Sequence, residues 1–287
     1  MRTWTHWKLT KKIVYISDFF VEHVLGGAEI NDSVLLTEVL DAEIERAQSH
    51  MVTVELLKNN INNLFIISNF IYLSKNCKEY LQNNCKYIIY EHDHKYLISR
   101  NPGLFENYKA PPEEIINIDF YANALRIIAQ SSFHKKIIEK NLNIKNIYNL
   151  GGNLWSDRSL TLLANLAKSQ KNNVCSVMRS NIAHKNTYEA VKFCKLKNIS
   201  YTLIESASYE EFLFMLSQNN QFAFFPKTPE TLSRVIVEAR MLGVKVYINK
   251  MIGASYEDWF SLKGTELIEV MRDKKQVIKK KIHEGLH

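Results

Sequence analysis

A strand, a glycine pair and a helix open this chain, and that order constrains its fold more than any other feature. Ile13–Ser17 (IVYIS) is a short run rich in β-branched residues, which suits a strand buried on both faces. A loop carrying Gly26-Gly27 follows, and Ala28–Leu40 then places apolar residues at helical spacing. Such a strand needs helices above and below it, and a doubly wound α/β domain opens in this way. Further strand-like runs are Leu64–Ser68, Tyr87–Tyr90 and Arg126–Gln130. A helix is expected after the last of them, capped by Ser131 or Ser132, with Ile137 and Ile138 on its buried side.

Asn149–Ser159 (NLGGNLWSDRS) breaks the pattern with a glycine pair and polar residues, and reads as a linker. A second α/β series begins after it. Strands are expected at Val174–Met178, Tyr201–Ile204, Phe222–Phe225 and Val244–Ile248. Helices are expected at Asn186–Lys197, Tyr209–Ser217 and Leu232–Leu242, the last closed by Gly243. The chain of 287 residues has room for two domains. The division expected is a Rossmann-like domain over 1–150, a second over 151–265, and a basic closing helix over 266–287. Two Rossmann-like domains facing a cleft make the simplest architecture.

Hydrophobic residues at 46% and charged residues at 23% exclude a disordered chain. Four cysteines (Cys77, Cys85, Cys175, Cys194) form no CxxC pair and are too sparse for a disulfide framework, so a cytoplasmic protein with reduced thiols is expected. The net charge of +7 gathers partly at the ends, in Lys8, Lys11 and Lys12 and in Lys274, Lys275, Lys279, Lys280 and Lys281. Such a tail suits a solvated helix end or a peripheral contact with an anionic membrane. No zinc-finger or RNP signature accompanies it, so nucleic acid is not an expected partner. Asp18 and Glu22 interrupt the apolar run at the start and speak against a signal peptide, and Asn59–Ser74 is too short to span a bilayer.

The richest segment is Phe225–Asn249, FPKTPETLSRVIVEARMLGVKVYIN. A buried strand ends at Pro226, a loop follows, and a helix is expected from near Thr231. The free amides of its first turn, on Leu232, Ser233 and Arg234, would make an anion site for a phosphate or diphosphate. Glu230 precedes that helix and Glu238 lies about two turns along it. One carboxylate would meet hydroxyls beside the phosphates and the other hydroxyls further along the ligand. Taken singly, Glu230 reads sooner as a favourable helix-start charge and Glu238 as a solvated residue.

This proline-containing loop, Glu230, seven residues, then Glu238-Ala239 and a β-rich strand resemble the signature of family-4 retaining glycosyltransferases. The resemblance implies the GT-B fold and a nucleotide-diphosphate sugar as donor substrate, with no further cofactor. It implies that Glu230 contacts sugar hydroxyls and Glu238 the ribose. Between them the family commonly has Gly-aromatic-Gly where this chain has Thr231-Leu232-Ser233-Arg234. Three other places resemble the family. Gly26-Gly27 matches its glycine loop, and His92-Asp93 its strand-end pair, whose histidine lies near the transferred sugar. Arg179 and Lys185 match the cations that clamp the donor diphosphate. Apart from the resemblance, His92, Asp93 and His94 read as a surface loop or as metal ligands short of a partner.

The absence of Asp-x-Asp argues against a metal-dependent GT-A transferase, so no metal is expected. No P-loop, GxSxG elbow or GxGxxG fingerprint appears. Glu230 and Glu238 are separated by roughly 12 Å of helix rise, wide of the 5–10 Å of a glycosidase pair. The expected activity is retaining transfer of a sugar to a hydroxyl acceptor, whether glycan, lipid or small molecule. The rivals are a sugar-nucleotide epimerase of the same fold and a non-catalytic GT-B-like binding subunit.

Overall fold

The computed structural model describes residues 12–205 and 208–286; Lys8 and Lys11 of the basic lead-in lie outside them. The first half contributes β1 (Ile13–Ser17), α1 (Gly27–Val34), β2 (Ile44–Gln48), α2 (Val54–Asn59), β3 (Leu64–Ile67) and α3 (Lys75–Asn84). It continues with β4 (Lys86–Tyr90), α4 (Ile118–Ala122), β5 (Arg126–Ala129), α5 (Ser132–Leu142) and β6 (Ile147–Asn149). These strands form one parallel sheet in the order β2-β1-β3-β4-β5-β6. Its apolar runs serve two cores at once. Val14, Ile16, Phe65, Ile67 and Ile89 pack on one face, and Ile13, Tyr15, Ile66, Ile88 and Tyr90 on the other. That double coverage is why the runs are continuously apolar.

The second half runs α6 (Asp157–Ala167), β7 (Asn172–Met178), α7 (Thr187–Leu196), β8 (Tyr201–Ile204) and α8 (Tyr209–Ser217). It ends with β9 (Asn219–Phe224), α9 (Arg234–Met241), β10 (Lys245–Ile248) and the long α10 (Gly264–Leu286). Its parallel sheet has the order β10-β9-β7-β8. Strand order reverses between β1 and β3 in one half and between β7 and β9 in the other, and such reversals open crevices at the carboxyl ends of strands.

Several elements depart from the sequence reading. Edge strand β2 (IERAQ) is half exposed and charged, so it carries no apolar run to announce it. The helix expected at Ala28–Leu40 changes winding, with α1 passing into a π turn over Leu35–Val39. The segment read as a linker is a buried crossing: Leu150 and Leu154 join the first core, Trp155 the second, and α6 starts within it, capped by Ser156.

The closing helix bridges both halves. Leu267, Ile268 and Met271 of α10 pack in the second core, while Ile278 and Ile282 pack against Ile13 and Tyr15 in the first. Its lysines follow the same course. Lys275 Nζ meets Glu38 at 2.6 Å and Asp157 at 2.7 Å, Lys279 meets Asp41 at 2.8 Å, and Lys281 donates to the Asn149 carbonyl at 3.0 Å. These lysines of the tail read as a contact for an anionic surface are committed to bonds within the molecule. Among the described residues no helix is long and apolar enough to cross a membrane. All four cysteines are free thiols.

Candidate active site

A cavity of about 430 Å³ lies between the two sheets. From the first half it is lined by the start of α1 with Gly26 and Gly27, by His92 beyond β4 and by Gln130 beyond β5. From the second half it is lined by Met178 at the end of β7, by Ser180 and Lys185 beyond it, by Glu230 to Arg234 apart from Leu232, and by Glu238. The loops after β7 and β9 are the ones that leave the sheet where strand order reverses. The fold itself puts them at the crevice.

His92 is held on both ring nitrogens. Gln130 donates its amide to Nδ1 at 2.6 Å and also to the Glu91 carbonyl, so Nδ1 is an acceptor and the ring proton sits on Nε2. That proton is donated to Asp32 Oδ1 at 2.6 Å, and Asp32 also accepts from Ser68. The side chains of His92 and Asp32 are 4% and 2% exposed. Tyr90 lies against the ring, with centroids 4.9 Å apart. The loop does not form the metal site that its His and Asp residues allowed. Asp93 pairs with Arg100, His94 with Tyr96 and the Pro229 carbonyl, and among the described residues no three acidic, histidine or cysteine side chains converge.

Glu230 is fixed by its backbone, whose N–H donates to the Met251 carbonyl and whose carbonyl accepts from Gly253. Its carboxylate meets Lys185 Nζ at 2.8 Å. Gly253 is required here, because a Cβ on it would stand 2.3 Å from the Thr231 carbonyl. Glu238 is neither solvated nor alone. Trp155 Nε1 at 3.0 Å and the Tyr209 hydroxyl at 2.7 Å donate to its Oε1, and Arg234 stands 3.3 Å from the same atom.

The start of the helix carrying Glu238 is displaced from where the sequence suggested. Helix α9 begins at Arg234, because Ser233 adopts φ 78°, ψ 81°, a left-handed conformation that cannot lie inside a helix. The free first-turn amides are therefore those of Arg234 and Val235, without a side-chain cap, since Ile236 and Val237 already donate to the Ser233 carbonyl. Leu232 turns into the second core, away from the cavity, while the Thr231 hydroxyl lies 3.3 Å from Gln130 Oε1 across the cleft. Ser233 Oγ and Arg234 Nε are buried without hydrogen-bond partners.

Arg179 is not in the cavity. Met178 and Ser180 line it, so alternation along the extended chain sends Arg179 to the opposite side, where it pairs with Glu205 at 3.2 Å. The buried cation that lines the cavity is Arg234, whose side chain was not singled out in the sequence. Its guanidinium lies 4.5 Å from the Trp155 ring centroid and donates to the Leu154 carbonyl at 2.6 Å. Asp32, Gln130, Trp155 and Tyr209 were likewise missed. A lone tryptophan in the polar stretch at 149–159 was the one available signal.

No family model and no curated protein matches the sequence. Solved structures do match in shape. An α,α-trehalose-phosphate synthase (UDP-forming) from Burkholderia vietnamiensis aligns over 98% of this chain and 94% of its own, with TM-score 0.55 and 7% identity. Sucrose-phosphate synthase from Thermosynechococcus elongatus aligns over 96% and 98%, with TM-score 0.53 and 9% identity. Anabaena HepE, solved with UDP and glucose, aligns over 96% and 92%, with TM-score 0.51 and 13% identity. At such identities the common property is architecture. The chain has the GT-B fold, two Rossmann-like halves with a cleft between them.

Proposed function

We propose that this chain transfers a sugar from a nucleoside-diphosphate sugar to a hydroxyl acceptor, with retention and without a metal. The observation that carries the reading is the second-half side of the cavity. First-turn amides of α9 and Lys185 suit a diphosphate, and Glu230 and Glu238 stand beside them to accept from hydroxyls. The bond from the anomeric carbon to the diphosphate breaks, the acceptor oxygen bonds to that carbon, and its proton leaves with the diphosphate. Fixed positive charge at the departing phosphate is the main assistance. Arg234 holds Glu238 in place, and His92, bonded on both nitrogens, supplies its ring face and backbone.

Retention rests on the resemblance of the Glu230–Glu238 segment to retaining enzymes. Metal independence rests on the missing Asp-x-Asp and on Lys185. UDP-glucose is the first donor to try, because HepE was solved with UDP and glucose. Reduced thiols suit the cytoplasm, where such donors are made. The test incubates UDP-sugars with a broad panel of hydroxyl acceptors, with and without chelator, and reads product anomers by NMR. Acceptor-dependent α-product from an α-donor, unchanged by chelator, is expected. Donor turnover without acceptor would make the protein an epimerase or hydrolase, and loss of activity restored by manganese would remove metal independence.

A further inference from the structure

The two glutamates in the cavity are held in different ways. Glu238 receives two hydrogen bonds and an ion pair on one oxygen and is 3% exposed. Glu230 has a single polar side-chain contact, Lys185 Nζ at 2.8 Å, and Lys185 has no other acceptor among the described residues. Both partners line the cavity, with side chains 16% and 26% exposed. The pair is therefore partly desolvated, exclusive among the described residues and within reach of a ligand.

We propose that the Lys185–Glu230 pair is a specificity element that favours a sugar-loaded nucleotide over the free nucleoside diphosphate. The inference rests on the donor reading above. A diphosphate that recruits Lys185 must take it from Glu230. With a nucleotide sugar bound, sugar hydroxyls donate to the released carboxylate, so its loss is replaced. With the free diphosphate nothing replaces it, and a half-buried carboxylate is left beside the diphosphate anion without a partner. The same opposition weakens the hold on the spent nucleotide after transfer and so speeds its release. Glu238 has no such part, because its partners are Trp155, Tyr209 and Arg234, which stay in place.

The test is isothermal titration of the whole chain and of Glu230→Gln with three probes: inorganic pyrophosphate, UDP and UDP-glucose. Glutamine keeps the shape of glutamate and removes the charge that competes for Lys185. Pyrophosphate and UDP should bind the variant about fivefold more tightly, the value of a partly exposed ion pair made available. UDP-glucose should gain less or lose affinity, so the ratio of UDP-glucose to UDP affinity falls. A thermal melt of the variant within a few degrees of the parent shows that the fold is kept. Lys185→Met should weaken all three probes. Pyrophosphate and UDP affinities that are unchanged or lower in Glu230→Gln, with a parent that binds UDP-glucose, overturn the specificity pair alone. A parent that binds none of the three probes overturns the donor reading and this inference with it.

Discussion

On the first-half side of the cleft, both nitrogens of His92 are bonded, Asp32 accepts from His92 and Ser68, and Gln130 is bonded through its nitrogen and its oxygen. Across the cleft Ser233 holds a left-handed backbone, and its hydroxyl and the adjacent Arg234 Nε are buried without partners. On the first side the His92, Asp32 and Gln130 side chains are all partnered, Thr231 completing the set from across the cleft, although Tyr15 Oη and Ser17 Oγ of that half are buried without partners. The second keeps strain and unmet hydrogen-bonding capacity at the turn that starts α9, which is where a ligand would be recognised. Substitutions on the two sides should therefore fail differently: one side should lose stability, the other should gain it or lose ligand affinity.

The largest effect is expected on the first-half side. Asp32→Ala leaves the His92 Nε2–H and the Ser68 hydroxyl without acceptors in a buried place, and should cost about 2–4 kcal/mol of folding stability. Urea unfolding measures it. A loss below about 1 kcal/mol would break the comparison, because the network would then not be holding that side together.

A smaller effect of opposite sign is expected across the cleft. Ser233→Gly removes both the left-handed penalty and a buried hydroxyl without a partner. It should raise stability by about 1 kcal/mol, after the extra freedom that glycine gains in the unfolded chain is deducted. Chemical denaturation at matched conditions decides it, and a clear loss would mean that the backbone there is not strained.

This asymmetry also marks how far the sequence could be read. Strands such as Leu64–Ile67 were legible because burial on both faces writes an uninterrupted apolar run, and β2 was not, because an edge strand need not carry one. Glu230 and Glu238 were singled out through the family resemblance of the one segment that carries both, and both line the cavity. Asp32 was not, since it approaches His92 from 60 residues away and no local pattern encodes that meeting. The start of α9 was misplaced by two residues for a related reason. A serine in left-handed backbone has no signature of its own, whereas a glycine at that position would have announced the turn.

The smallest effect sharpens the assignment of the cations. Sequence resemblance placed Arg179 with Lys185 on the phosphates, yet the Arg179 side chain is 53% exposed and its partner Glu205 is 60% exposed, outside the cavity. An exposed pair of this kind contributes about 0–1 kcal/mol, and less in salt. Arg179→Ala should change folding stability by less than about 0.5 kcal/mol and UDP affinity by less than about twofold. Lys185→Ala in the same titration should weaken UDP by about tenfold or more, since a hydrogen bond to a charged group is worth about 1.5–3 kcal/mol. The double variant should then match Lys185→Ala alone. A tenfold loss on Arg179→Ala would require the loop after β7 to turn over when a diphosphate binds, carrying Arg179 in among Met178 and Ser180, and the second-half side of the cleft would then be a moving part rather than a fixed one.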